Sequence, residues 1–277
     1  MRRQLPILMY HEVRPDIKKT NKEDLVIKRR CLSSQNFERQ MQYLHQNGYE
    51  CVTLDYAILS NEYRDKKTLK RHVAITFDDG YAGNYLYAFP ILRKYGFVAT
   101  FFVVVDWIDK ENMLTWGQII DLKTSGMSIQ SHTLTHTPLQ YLTIEEIRDE
   151  IMKSKVILEK GIGDKVDFLS LPHGRYNNRV LKIAREVGYK NVFTSDIDFT
   201  FNMGKFAYGR IEIFEHYDLA KFAKIVESNY LIISILKVKK ILGDGLKKLF
   251  GFQNYRRISG IIFNKGHKSL SKFNFQE

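Results

Sequence analysis

The chain is predicted to be an α/β protein, a distorted (β/α) barrel of about seven strands with a basic helical C-terminal extension. Three features predict it. Between about Ile7 and Ile213, short apolar runs alternate with amphipathic stretches, as parallel βα units do. The run Ala99–Val105 is apolar apart from Thr100, which suits a strand covered on both faces. The polar residues with the most chemical potential each follow a strand-like run, where barrel sites are built.

The elements follow in order. Pro6–Tyr10 reads as a buried strand. Ser34–Asn47 reads as a helix, with Phe37, Met41 and Leu44 at helical spacing and Gly48 as its stop. Val73–Phe77 is an expected strand ending at Asp78, and Tyr85–Tyr95 an expected helix closed by Gly96. Trp116–Thr124 should be helical up to Gly126, and Met127–Gln130 a strand leading into His132. Thr143-Ile144-Glu145-Glu146 has the form of a capping box and opens a helix to about Lys160. Phe168–Leu171 and Asn191–Thr194 read as strands flanking a helix, Arg179–Val187, that ends at Gly188. No internal repeat or low-complexity segment interrupts the series.

Composition sets the class. The 277 residues are 44% hydrophobic and 27% charged, values of an ordinary soluble globular protein. Cys31 and Cys51 form no CxxC pair, so a reducing, cytoplasmic setting is expected, with no disulfide. The apolar run near the N-terminus is broken by Pro6 and ends at His11, too short for a signal-peptide core. The formal charge of +12 is uneven: residues 217–277 hold 12 Lys and Arg against 4 Asp and Glu. Residues 1–216 are therefore read as the catalytic domain and 217–277 as a basic extension. Such a tail suits an anionic partner: a membrane face, a nucleic acid or a phosphorylated carrier. Leu231, Ile232, Ile233 and Leu236 alternate with Lys237, Lys239 and Lys240, and then, past an interruption around Gly243 and Gly245, come Leu246, Lys247, Lys248, Leu249 and Phe250. An amphipathic helix on the inner membrane face is therefore the sharper reading and a solvated helix packed on the barrel the plainer one. Nucleic-acid binding is not expected, because charge alone suggests it and no recognition motif accompanies it.

Two segments carry the chemistry. Thr76-Phe77-Asp78-Asp79-Gly80 offers adjacent carboxylates where a strand becomes a loop, and Ser131-His132-Thr133-Leu134-Thr135-His136 offers two imidazoles four positions apart. One carboxylate and two imidazoles, converging if the histidine segment turns helically, would bind a divalent ion and leave positions for water and substrate. The other carboxylate stays free as a base, the arrangement needed to hydrolyse an unreactive amide. As isolated features, Asp-Asp-Gly is equally a turn and His-x3-His more often a surface pair; their joint placement after separate strands favours a site. Pro172-His173-Gly174 follows a strand, and its backbone N–H groups suit an oxyanion, while His11 at the end of the first strand suits protonation of a leaving amine.

These segments resemble the polysaccharide deacetylases, the NodB-homology group of carbohydrate esterase family four, over about residues 5–213. Thr76–Gly80 is similar to that family's first motif, Ser131–His136 to its second and Pro172-His173-Gly174 to the core of its third. Residue by residue, the resemblance implies Asp78 as general base and Asp79, His132 and His136 as ligands of a divalent metal, Zn2+ with Co2+ or Ni2+ as alternatives. The Leu-x-His motif usual near the C-terminal end is missing. Leu8-Met9-Tyr10-His11 instead resembles the circularly permuted branch that includes poly-N-acetylglucosamine deacetylases, which implies His11 as general acid. Ser170 stands where the third motif often has an arginine, the usual partner of the base; Arg210 is the candidate substitute and is grouped with His173, Pro172 and Gly174 around substrate and oxyanion. The Asp-x-x-Asp-Trp motif has only a loose echo at Ser195–Phe199. The implied substrate is an N-acetylated polysaccharide or lipid-linked glycan that loses acetate. A deacylase or deformylase of another amide, or a catalytically silent glycan-binding or membrane-associated protein, is the alternative. Trp116, Tyr176 and Tyr10 are the candidate sugar-stacking rings.

Overall fold

The structure is a computed structural model that describes residues 5–15, 30–59, 71–198, 205–242 and 245. It divides into two compact units, Met1–Asn229 and Tyr230–Glu277. The expected boundary after residue 216 therefore falls one helix earlier than this division.

The first unit opens with β1 (Ile7–Tyr10). A short parallel pair follows, β2 (Glu12–Arg14) with β3 (Cys31–Ser33). Helix α1 (Ser34–Gln46) starts at Ser33, whose hydroxyl accepts from the Asn36 N–H, and it buries Phe37, Met41 and Leu44 as their spacing requires. Next come β4 (Tyr49–Cys51), α2 (Leu54–Leu59) and the longest described strand, β5 (Arg71–Phe77), buried from His72 to its end. The helix expected over Tyr85–Tyr95 is split into a π turn at Asn84–Ala88 and α3 (Phe89–Lys94). Pro90 has no N–H to give the Leu86 carbonyl, so a regular ladder cannot run through this point.

Strand β6 (Thr100–Val103) is shorter than its apolar run, because Val105 already belongs to a 3₁₀ turn. Helix α4 (Trp116–Thr124) matches its expected span and carries a reciprocal Thr115–Gln118 capping box. After β7 (Ser128–Ser131), α5 (Ile144–Ile162) opens on the Thr143–Glu146 capping box read from sequence. The order then continues with β8 (Phe168–Ser170), α6 (Asn178–Glu186), β9 (Asn191–Phe193), β10 (Ala207–Tyr208), β11 (Ile211–Glu212) and α7 (Leu219–Val226). Helix α7 buries Phe222, Ile225 and Val226, and the Phe222 ring meets Tyr43 of α1 edge-on at 6.1 Å. That packing places it with the barrel.

Among the described residues nine strands form one sheet, in the order β10-β9-β8-β7-β6-β5-β1-β11 with β4 also paired to β5. The pairs are all parallel. This is the expected curled barrel, with more strands than the seven anticipated. The two edge strands, β10 and β11, are consecutive in the chain and separated only by Gly209 and Arg210. Tyr208 is in register with Phe193 on one edge, and Ile211 with Leu8 on the other. One extended segment, residues 207–212, thus leaves one edge of the sheet and joins the opposite edge. Gly209 is required at this crossing, since a Cβ there would lie 2.1 Å from the Asp196 carbonyl oxygen.

Aromatic side chains fill the interior: Phe77 stacks on Phe101 at 4.9 Å, and Phe102, Phe168 and Tyr208 surround Phe193. Tyr10, a candidate sugar platform, is buried and donates to Gln40 Oε1 at 2.8 Å. It is a core residue. Trp116, the second candidate, packs its ring on Gly161 of α5. No helix among the described residues is long and apolar enough to cross a membrane.

Candidate metal centre and active site

The C-terminal ends of β1, β5, β7 and β8 deliver His11, Asp78 and Asp79, His132, and Pro172-His173-Gly174 to one end of the barrel. Asp79 takes a left-handed backbone conformation, with φ 72°. This turns successive carboxylates apart, as expected for neighbours with separate partners.

Asp79 Oδ1 lies 3.3 Å from both His132 Nε2 and His136 Nε2. One donor atom from each of the three residues falls within 4.8 Å of the other two. The expected helical turn between the histidines is absent. Thr133 and His136 are both left-handed, at φ 69° and 68°, and the segment is a loop. It is held from below: Glu150 of α5 accepts from the Leu134 and Thr135 N–H groups at 3.2 and 3.0 Å and from the Thr135 hydroxyl at 2.7 Å. The loop is also zipped to residues 105–106, whose N–H groups reach Thr133 and Leu134 carbonyls. Trp107, from that same segment, lies against His136 at 5.0 Å, and His173 meets the His136 ring edge-on at 4.9 Å.

The donor set fits a divalent cation. His132 Nδ1 is 2.9 Å from the Ser170 carbonyl, which can only accept, so Nδ1 carries the proton and Nε2 of the neutral ring presents a lone pair. That lone pair faces a carboxylate oxygen that is buried without a hydrogen bond of acceptable geometry. Two acceptors aimed at each other need a cation between them. Burial works to lift the Asp79 pKa, but His132 and His136 outweigh it and hold the carboxyl well below the usual range. Burial likewise pulls His132 down, and Asp78 and Asp79 together raise it. The hole between these groups favours positive charge.

Asp78 belongs to a different network. Arg210 grips it side-on, with Nη1 to Oδ1 and Nη2 to Oδ2 both at 2.7 Å. The other donors of Arg210 go to the Thr194 carbonyl, the Thr76 hydroxyl and the Ser170 hydroxyl. All five guanidinium hydrogens are spoken for. Arg210 is fully buried and faces the carboxylate of Asp78, the position expected of a substitute for the third-motif arginine. Ser170, which stands where an arginine was expected, donates its hydroxyl to Asp78 Oδ2 at 3.2 Å. Burial pushes Asp78 up, yet Arg210 and His132 bring it below its ordinary value.

His11 is buried, and its Nδ1, without a hydrogen bond, sits 3.7 Å from Glu212 Oε1, itself without one. Arg30 approaches the same carboxylate oxygen at 3.4 Å. Burial and Arg30 lower the His11 pKa despite the carboxylates of Glu212, Asp79 and Asp78. Pro172 is buried in a 3₁₀ turn, and His173 is left-handed at φ 58°. Gly174 lets the chain pass Ser195, whose Oγ would lie 1.8 Å from an added Cβ. Burial and His136 push the His173 imidazole down to about 4. Tyr176, the third candidate ring, donates to Asp196 at 3.3 Å on the rim. Trp107, Glu150 and Glu212 were missed from sequence. Only Glu212 had a signal, two positions after the flagged Arg210.

The family profile for polysaccharide deacetylase matches residues 65–192. YxkH of Bacillus subtilis, whose name assigns it provisionally to the polysaccharide deacetylases, is 34% identical over 226 residues, 81% of this chain and 77% of its own. A poly-beta-1,6-N-acetyl-D-glucosamine N-deacetylase of Staphylococcus epidermidis is 29% identical over 68% of this chain and 71% of its own. The solved structure of the Streptococcus pyogenes deacetylase PplD, in complex with acetate, superposes with a TM-score of 0.73 at 26% identity, covering 82% of this chain and 99% of that one. The chain belongs to the polysaccharide deacetylase family. It is a deacetylase, a hydrolase of the metal-dependent kind typical of that family.

Proposed function

We propose that this protein removes N-acetyl groups from N-acetylhexosamine units of a polysaccharide or lipid-linked glycan, releasing acetate, with a divalent ion held by Asp79, His132 and His136. Imidazole and carboxylate donors suit Zn2+ best, with Co2+ or Ni2+ also accommodated. When bound, such an ion polarises a carbonyl and brings the pKa of its water to about 7.

The chain supplies the rest. Asp78, kept ionised by Arg210, accepts the proton of the attacking water. Arg210 and Ser170 together fix which lone pair of Asp78 is left for that proton. The backbone N–H of His173 donates to the oxyanion, with Pro172 and Gly174 setting the turn. His11, whose Nδ1 faces Glu212 across 3.7 Å, gives the proton on Nε2 to the departing sugar nitrogen. The reading is carried by one juxtaposition: a buried cation hole beside a carboxylate that is separately held ionised.

The test is metal content of the purified protein beside Asp79→Ala, followed by acetate release from N-acetylglucosamine oligomers. About one ion per chain, lost in the variant, together with acetate release, supports the proposal. Wild-type protein that neither carries nor takes up metal overturns it.

A further inference from the structure

The second unit carries a helix over residues 230–242. Its burial is two-sided. Ile233 and Leu236 are 0% and 7% exposed, whereas Leu231, Ile235, Val238 and Leu242 are 67%, 41%, 55% and 61% exposed. Tyr230 and Ile241 are also exposed. At about 100° per residue, these six apolar side chains occupy one arc of about 140°, interrupted only by Ser234. Lys239 lies about 40° beyond one edge of the arc and Lys237 about 20° beyond the other. The buried pair, Ile233 and Leu236, is centred on the opposite side.

An exposed apolar surface of this size calls for a partner. Across residues 230–277 the sequence has ten Lys and Arg against two Asp and Glu. A second copy would bring like charge against like charge, and the basic residues 243–277 are no better matched. A nucleic acid would leave the apolar arc without a use. At about 1.5 Å per residue the helix is about 20 Å long, short of the roughly 30 Å of a bilayer core. We propose that this helix lies flat on an anionic lipid bilayer. Its aliphatic arc enters the headgroup boundary, and Lys239, at the edge of the arc, extends to lipid phosphates.

The experiment is co-sedimentation of the full chain with vesicles of phosphatidylglycerol and phosphatidylcholine, and with phosphatidylcholine alone. Binding is expected to the anionic vesicles, at least about tenfold weaker to neutral ones, and reduced by added salt. Leu231→Ser with Val238→Ser should weaken it by about tenfold or more while the thermal unfolding midpoint is kept, because both positions are exposed. Tyr230→Trp, in an otherwise intact chain, should shift its emission to the blue with anionic vesicles. Failure of the full chain to bind anionic vesicles overturns the proposal. So does binding unchanged in the folded double variant, or a self-association that the double variant abolishes in the absence of lipid.

Discussion

Arg210 and Asp78, 132 positions apart in the chain, meet side-on with two contacts of 2.7 Å. The guanidinium reaches Asp78 from the two-residue break between the edge strands. Arg210→Met should lower kcat/KM by about a hundredfold or more. It should also move the acid limb of the pH profile upward, because burial would then set the Asp78 pKa without its main counterweight. The stranded carboxylate costs about 3–5 kcal/mol of stability. Arg210→Lys should restore charge but not the two-point grip, giving intermediate activity. An unshifted acid limb in Arg210→Met would contradict the assignment of Asp78 as base.

Glu150 takes three hydrogen bonds from the loop between His132 and His136. Glu150→Ala should weaken metal affinity by about 10–100-fold, measured by competition with a chromophoric chelator. Equal affinity in the two proteins would show that the loop holds its shape unaided.

His11 links pH to stability. Its folded-state pKa is lowered from 6.5, so the unfolded chain binds its proton more readily. Its contribution to stability is present above pH 6.5 and is lost as pH falls through the lower folded value. The stability advantage of the wild type over His11→Gln should therefore be larger at about pH 8 than at about pH 5. Urea unfolding at the two pH values checks it, and the reverse order would refute it.

Gly209 passes the Asp196 carbonyl where no Cβ fits. Gly209→Ala should cost about 1–3 kcal/mol and, by displacing Arg210, lower activity in parallel. A variant with full stability and reduced activity would separate the two effects.

The sequence was legible wherever local pattern and local geometry coincide. Helix α4 matches its expected span because Thr115 and Gly126 mark both ends, and the Thr143 capping box is a contact between near neighbours. Asp78, Asp79, His132 and His136 stood out because each follows a strand that reads as one. The loop between the histidines did not, since nothing in a β-branched Thr133 announces a left-handed φ of 69°. Strands β10 and β11, of two residues each, are too short to show any period, so the crossing they make was invisible. Arg210 could accordingly be flagged only as a candidate partner of the base, and the topology is what carries it to Asp78. The amphipathic reading of the tail covers residues 230–242; its continuation through Leu246–Phe250 lies outside the described residues.

The placement of Arg210 also bears on when the molecule becomes competent. A ribosome will have made both carboxylates and both metal-facing imidazoles long before it reaches residue 210. Without that guanidinium Asp78 has no bidentate counterion, so its ionised form depends on a residue that only the later part of the chain supplies. Catalytic power therefore arrives with the segment that joins the sheet's two edges, so only a chain that has completed its barrel is armed.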